Sequence, residues 1–310
     1  MSAPPPIQIE EVSKRFGTHL ALDRVSLTVP AGSVFGFLGP NGAGKTTTLR
    51  ILTGLAAPTS GTARVLGHDV RTLRPADRAK LGFLPDVPGF YDWMTGAEFL
   101  RFAGRLFGLG GAELESRAGA LLEMAGLARV RGRIGGYSRG MKQRLGVAQA
   151  LINAPDLLFL DEPTSALDPI GRREVLEMIV SLRGRTTVFF STHILADVER
   201  VSDHVAILDR GRVAASASVA ELKRRTGVER LALTLDVAAD RFVGALDGAA
   251  WITALEADSN RLRVTVNDRA TAAREIPRLV AAAGIGLVAL EPEEVTLEEV
   301  FVDLVGREVG

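Results

Sequence analysis

Residues 33–46 constrain this chain more than any other stretch. Ser33-Val34-Phe35-Gly36-Phe37-Leu38 is a continuous apolar run, the pattern of a strand buried on both faces of a parallel sheet. It leads directly into Gly39-Pro40-Asn41-Gly42-Ala43-Gly44-Lys45-Thr46, after which Thr47 to Leu55 reads as helix. Strand, glycine-rich loop and helix in that order predict a phosphate-binding loop in an α/β, P-loop NTPase core. A nucleoside triphosphate presents closely spaced anionic oxygens, and backbone N–H groups must reach them without side chains in the way. Gly39, Gly42 and Gly44 leave that space, and the helix points its positive end at the phosphates. Lys45 is expected to reach the β- and γ-phosphates, and the Thr46 hydroxyl to ligate Mg²⁺. Pro40, Asn41, Ala43 and Thr47 complete the segment expected to bind ATP.

At 310 residues the chain has room for about two domains. It is 46% hydrophobic and 24% charged, the balance of a globular protein. Lys plus Arg and Asp plus Glu are 37 each, so the charge lacks the basic surplus of a nucleic-acid binder, and no nucleic-acid partner is expected. The absence of cysteine excludes disulfides, thiol catalysis and cysteine metal sites. The start, Met1 to Pro6, lacks the runs of a signal peptide. The longest apolar stretch, Leu279 to Leu290, contains glycines and falls short of the ~20 residues that span a bilayer. A membrane role would therefore need another chain as anchor.

Strand-like runs at Ile7 to Val12 and Val25 to Val29 precede the loop. Apolar spacing of three and four residues predicts helices at Ala97 to Phe107, Ala112 to Ala125 and Met141 to Ile152. Strands return at Leu157 to Leu160, Thr187 to Ser191 and Val205 to Leu208, so a helical subdomain at about 88–154 interrupts the core. After Gly227 the order becomes βαββαβ: Leu231 to Val237, a short helix, Trp251 to Glu256, Arg261 to Val266, helix Ala270 to Ala283, and Ile285 to Leu290. That is a ferredoxin-like order. The expected domains are thus 1–224 for nucleotide binding and 228–310 as an α+β accessory domain. Thr296 and Glu299 have capping-box spacing for a closing helix, Leu297 to Val305.

Four further segments carry chemistry. Leu157-Leu158-Phe159-Leu160 ends in Asp161-Glu162, two carboxylates at the carboxyl end of a strand, where open sheets place ligands. Alone, this is equally a strand running into an acidic turn. Beside a phosphate loop, Asp161 reads as an Mg²⁺ holder and Glu162 as the general base for water. In Tyr137-Ser138-Arg139-Gly140-Met141-Lys142-Gln143-Arg144, Ser138 can cap a helix with apolar positions at Met141, Leu145 and Ala148, which by itself is an ordinary capped helix. Ser165-Ala166-Leu167-Asp168 and Thr192-His193 follow.

Taken in chain order, the phosphate loop, the Ser138 helix start, the Asp161-Glu162 strand end, Ser165 to Asp168 and Thr192-His193, across about residues 7 to 220, resemble the ATP-binding subunit of an ABC transporter. The resemblance implies a dimer, expected here to be a homodimer. Two ATP molecules would lie between the subunits, the phosphate loop of one facing Ser138 and Gly140 of the other. It places Asp168 in the inter-subunit loop, His193 against the γ-phosphate and Phe16 on adenine. A lone strand-end histidine or a single Phe would otherwise read as structural. It also implies an integral-membrane permease as partner, docking near Asp86 to Ala97, and a peripheral position on the cytoplasmic face of the membrane. Asp86 stands where the family usually has glutamine, so a carboxylate can approach Mg²⁺ there. Arg139 and Met141 replace glycine and glutamine of the usual signature. Tyr137 to Met141 and the tail Thr296 to Phe301 are similar to the subset serving drug, antibiotic or lipid exporters. Other expectations are a soluble ABC-type ATPase without a transport role and a regulatory nucleotide-binding module. The first lacks its usual tandem cassettes or coiled coil here, and retention of Lys45, Asp161, Glu162 and His193 counts against the second.

Overall fold

The computed structural model describes residues 4–225, 229–293 and 297–299. Contacts divide the chain into two compact units, with the divide between Val219 and Ala220.

The first unit is built on a six-stranded sheet in the order Arg212–Ser218, His204–Asp209, Val34–Leu38, Thr187–Thr192, Leu157–Asp161, Leu81–Leu84. All neighbours are parallel except the first pair. All five residues of Val34–Leu38 are buried, as the unbroken apolar run requires of a central strand. Phe35, Phe37, Phe159 and Phe189 fill its core. A second sheet is antiparallel, in the order His19–Val29, Ile7–Phe16, Ser60–Val65, His68–Asp69. Both of its first strands are longer than the sequence suggests: Ile7–Phe16 and His19–Val29 run on through polar residues. Their pairing is interrupted by register shifts, which hide the alternation a period-two reading depends on.

The interrupting segment is helical, as the spacing predicts, but each helix starts earlier than its first apolar residue. Gly96–Leu106 opens on a capping box: Thr95 Oγ1 accepts from the Glu98 N–H and Glu98 Oε2 accepts from the Thr95 N–H at 2.8 Å. Gly111–Met124 and Arg139–Ala150 follow, the latter capped by Ser138, whose Oγ accepts from the Met141 N–H at 3.2 Å. Caps, being polar, lie outside an apolar pattern.

In the second unit, strands Glu229–Leu235, Ile252–Asp258, Arg261–Val266 and Leu287–Glu293, with helices Asp240–Val243 and Arg269–Ala282, give the expected βαββαβ order. The sheet is antiparallel, ordered Ile252–Asp258, Arg261–Val266, Glu229–Leu235, Leu287–Glu293. Leu231, Leu233, Leu262, Val264, Phe242 and Ile276 form its own core. Of the expected closing helix, only residues 297–299 are described; Thr296, and with it the capping box, lies outside the described residues.

Candidate active site

The phosphate loop leaves strand Val34–Leu38 and ends at Gly44, whose φ of 109 is open to glycine alone. Helix Lys45–Leu52 therefore begins at Lys45, two residues before the expected Thr47. Lys45, Thr46 and Thr47 thus occupy its first turn, where N–H groups have no partner within the helix. At Gly39 a Cβ would lie 2.3 Å from the Leu208 carbonyl of the adjacent strand. Sheet packing by itself therefore demands glycine at that position. Gly42, at φ 82, has nothing within 4 Å of an added Cβ and faces open space.

Asn41, Gly42, Gly44, Lys45, Thr46 and Thr47 line a cleft of about 360 Å³ together with Phe16, Asp86 and Glu162. Phe16 is 51% exposed, with the Lys14 ammonium 4.8 Å from its ring centre. His19 and Ala21 also line the cleft. The sequence reading missed both, because they sit on a strand whose register shifts concealed it.

The two carboxylates at the end of strand Leu157–Asp161 diverge. Asp161 is buried, and its Oδ1 accepts from Ser191 Oγ at 2.6 Å and from Thr46 Oγ1 at 3.3 Å. Burial pushes its carboxyl above the ordinary value; the Ser191 and Thr46 hydrogen bonds pull it down, and the charges of Asp86 and Glu162 push it up again. Glu162 takes φ 48, in the left-handed region, which turns its side chain off the strand line. Its Oε2 lies 2.8 Å from His193 Nδ1 and its Oε1 3.1 Å from Lys45 Nζ. The same ammonium donates to the Gly39 carbonyl at 2.7 Å and the Pro40 carbonyl at 3.1 Å. Ser191, a neighbour of Asp161 in the parallel ladder, also accepts from the Glu162 N–H at 3.0 Å. It was not singled out from sequence, although a hydroxyl in the apolar run Thr187–Thr192 was the available signal.

Thr46 and Asp161 offer a hydroxyl and a carboxylate side by side, hard oxygen donors of the kind Mg²⁺ takes. Among the described residues no group of three His, Asp or Glu could hold a metal ion.

Ser138, Gly140 and Asp168 do not join this cleft. With Arg139 and Ile170 they line a separate cavity of about 280 Å³. Asp168 Oδ1 accepts from the Gly171 N–H at 2.7 Å, capping helix Pro169–Ser181. A Cβ on Gly140 would lie 3.6 Å from Gly171 Cα, so that cap and the Ser138 cap sit close together. The segment expected to meet a permease carries exposed Val87, Tyr91 and Trp93, and Tyr91 packs edge-on against Phe102 with centres 5.5 Å apart. Among the described residues no helix is long and apolar enough to cross a membrane.

Residues 22–165 match the family described as ABC transporter, and residues 218–305 match the C-terminal domain of DrrA1-3-like ATP-binding proteins. The chain is 40% identical over 300 residues to the uncharacterized ABC transporter ATP-binding protein YxlF of Bacillus subtilis, covering 96% of this chain and 99% of that one. It is 39% identical over 304 residues to the daunorubicin resistance ATP-binding protein DrrA3 of Streptomyces coeruleorubidus, with 97% and 96% covered. The bacitracin transport ATP-binding protein BcrA of Enterococcus faecalis is 32% identical over 304 residues, with 97% and 96% covered. Among solved structures, an ATP-binding subunit of an ABC transporter superposes with a TM-score of 0.64 at 31% identity, covering 71% of this chain and 93% of that one. A dimeric ATP-binding cassette in a post-hydrolysis state with ADP and Pi gives 0.62 at 25% identity, covering 69% and 98%.

Proposed function

This chain belongs to the ATP-binding subunits of ABC transporters, an ATPase family whose hydrolysis is coupled to transport, and from that premise we propose that it powers an exporter as half of a homodimer. The cargo class is a drug-like, antibiotic or lipid molecule passed by a separate permease; the daunorubicin-resistance and bacitracin-transport relatives support that class. The second unit is the accessory domain of this exporter type, supported by its match to the DrrA-like C-terminal domain. The chain sits at the cytoplasmic face of the membrane, held by the permease at the exposed aromatic segment around Tyr91 and Trp93.

Phe16 stacks on adenine, and the N–H groups from Gly42 to Thr47 with the Lys45 ammonium take the phosphates. A phosphate oxygen competes with Glu162 for Lys45, so binding frees the carboxylate from one of its two partners. Glu162 then accepts a proton from the attacking water, with His193 holding it in line. Thr46 and Asp161 would hold Mg²⁺, and Asp86, which lines the same cleft, would add a carboxylate. When bound, that ion neutralises charge on the β- and γ-phosphate oxygens.

The observation that carries the dimer is the separation of two half-sites on one chain. Lys45, Thr46 and Glu162 line one cleft, with Asp161 bonded to Thr46 and His193 to Glu162, while Ser138, Gly140 and Asp168 line another. Each cleft is completed by the opposite cavity of a second subunit. Mixing Lys45→Ala and Ser138→Arg chains tests this, because the mixed dimer has one undamaged composite site. The mixture regains nucleotide trapping that neither variant shows alone. No recovery after subunit exchange refutes the composite site. Recovery of a permease with the tagged chain from membranes tests the transport assignment.

A further inference from the structure

Asp197 is the most completely enclosed carboxylate of the first unit, at 0% exposure, and it lies outside the nucleotide cleft. A charge so buried persists only where hydrogen bonds and an opposite charge compensate it. Asp197 has both: Thr164 Oγ1 donates to its Oδ2 at 2.5 Å, and Arg172 Nε donates to its Oδ1 at 2.6 Å.

The sequence positions of these three residues give the cluster its meaning. Thr164 lies two residues after Glu162, on the loop that leaves the carboxylate strand. Arg172 is in the first turn of helix Pro169–Ser181, whose cap is Asp168. Asp197 is in the first turn of helix Leu195–Val201, just after His193. That helix is itself anchored. Val198 packs so closely on Gly36 that a Cβ there would meet its Cγ1 at 2.9 Å, and Gly36 belongs to the strand feeding the phosphate loop.

We propose that Asp197 is a positioning residue that couples the base Glu162 to Asp168, the residue this chain lends to the site of a second copy. The loop 162–168 is pinned at three points: Glu162 by His193, Thr164 by Asp197, and Asp168 through Arg172 by the same Asp197. Shifting Asp168 against a partner therefore pulls, through Arg172 and Asp197, on the loop that aims Glu162. One subunit's contact with its partner is thereby felt at its own water-activating carboxylate. This is a bonded path between two named groups, the kind of physical network that coupling requires. The inference rests on the composite-site reading above.

The test compares Thr164→Val, which keeps size and removes the donor, with Thr164→Ser, which keeps the donor, in the full-length chain. Asp197→Asn, which removes the charge facing Arg172, is the second arm. Loss of positioning lowers kcat by roughly tenfold to a hundredfold, the upper end being the cost of a misplacement of about 1 Å. ATP affinity, measured with a fluorescent analogue, stays within about twofold, because the adenine and phosphate contacts are untouched. Cooperativity in ATP is lost with kcat, and Thr164→Ser restores both. A purely structural cluster gives the opposite pattern: a lower melting temperature with kcat per folded site and cooperativity intact, and that result overturns the proposal. Glu162→Gln run in parallel separates the two claims. If it hydrolyses ATP normally, the site reading fails; if it is inactive while Thr164→Val is normal, only the role of Asp197 fails.

Discussion

Replacing Glu162 by Gln separates binding from chemistry, and the structure sets the size of both effects. The carboxylate stands 3.1 Å from the Lys45 ammonium and 2.8 Å from His193 Nδ1, with only 12% of its side chain exposed. At an effective dielectric of about 20, two unit charges at the Lys45 separation attract by about 5 kcal/mol. Most of that is offset by the cost of holding both ions out of water. If about 1 kcal/mol survives as a net pairing that a phosphate must displace, Glu162→Gln tightens ATP roughly fivefold. The amide cannot take a proton from water, and loss of a general base costs about 10² to 10⁴ in rate, or about 3–5 kcal/mol of barrier. The variant should thus bind ATP at least as well as wild type, turn over at least a hundredfold more slowly, and accumulate as an ATP-bound dimer. Equilibrium binding of a fluorescent analogue, single-turnover phosphate release and size-exclusion chromatography with ATP read the three effects. Turnover within threefold of wild type, or ATP binding weakened by about the same factor as turnover, would refute the reasoning.

Gly39→Ala forces a methyl against the Leu208 carbonyl at 2.3 Å and should destabilise the first unit by about 2 kcal/mol, seen as a drop of roughly 5 °C in its melting transition. An unchanged transition would show that the strand shifts freely there. Phe16→Ala should weaken ATP by roughly threefold to tenfold while Phe16→Trp keeps it, since a stacked ring contributes about 0.5–1.5 kcal/mol beyond its area; equal affinity in both variants removes the stacking role. Asp77 accepts from Arg74 through both the guanidinium and the backbone N–H, and these bonds lower its carboxyl from 3.8 to about 2. A depressed carboxyl stabilises the fold above its unfolded value and loses that effect as protons bind. The urea-denaturation margin of wild type over Asp77→Asn should therefore shrink as pH falls from 3.8 towards about 2, and a margin that grows would contradict it.

The fold was legible wherever burial imposed a period. Val34–Leu38 and Leu157–Asp161 are buried along their whole length, and their unbroken apolar runs say so. The βαββαβ order of the second unit was readable for the same reason, since Leu231, Leu233 and Leu235 alternate against Leu262, Val264 and Val266. What the sequence concealed is governed by hydrogen bonding rather than burial. The helix starts at Lys45 and Gly96 depend on a left-handed glycine and a capping box, neither of which is apolar, whereas the Ser138 cap before Arg139 was legible as a serine ahead of an apolar period. The strands Ile7–Phe16 and His19–Val29 outrun their pattern because shifts in register break the alternation.

The same distinction runs through the site. A phosphate loop is contiguous, so its residues declare themselves together, and Lys45 and Thr46 lie where the motif puts them. Glu162 and His193 lie 31 residues apart and meet only because strands Leu157–Asp161 and Thr187–Thr192 are parallel neighbours in register. That register also brings Ser191 level with Asp161, which is why the one hydroxyl serves both carboxylate positions, donating to Asp161 and accepting from the Glu162 N–H. The parallel ladder thus bears directly on the proposed chemistry. It fixes Asp161 by its side chain and Glu162 by its backbone, and leaves only the Glu162 carboxylate free to change partners. The roles proposed for Asp161 and Glu162, holding an ion and moving a proton, need those opposite constraints, and adjacent positions at one strand end can receive both.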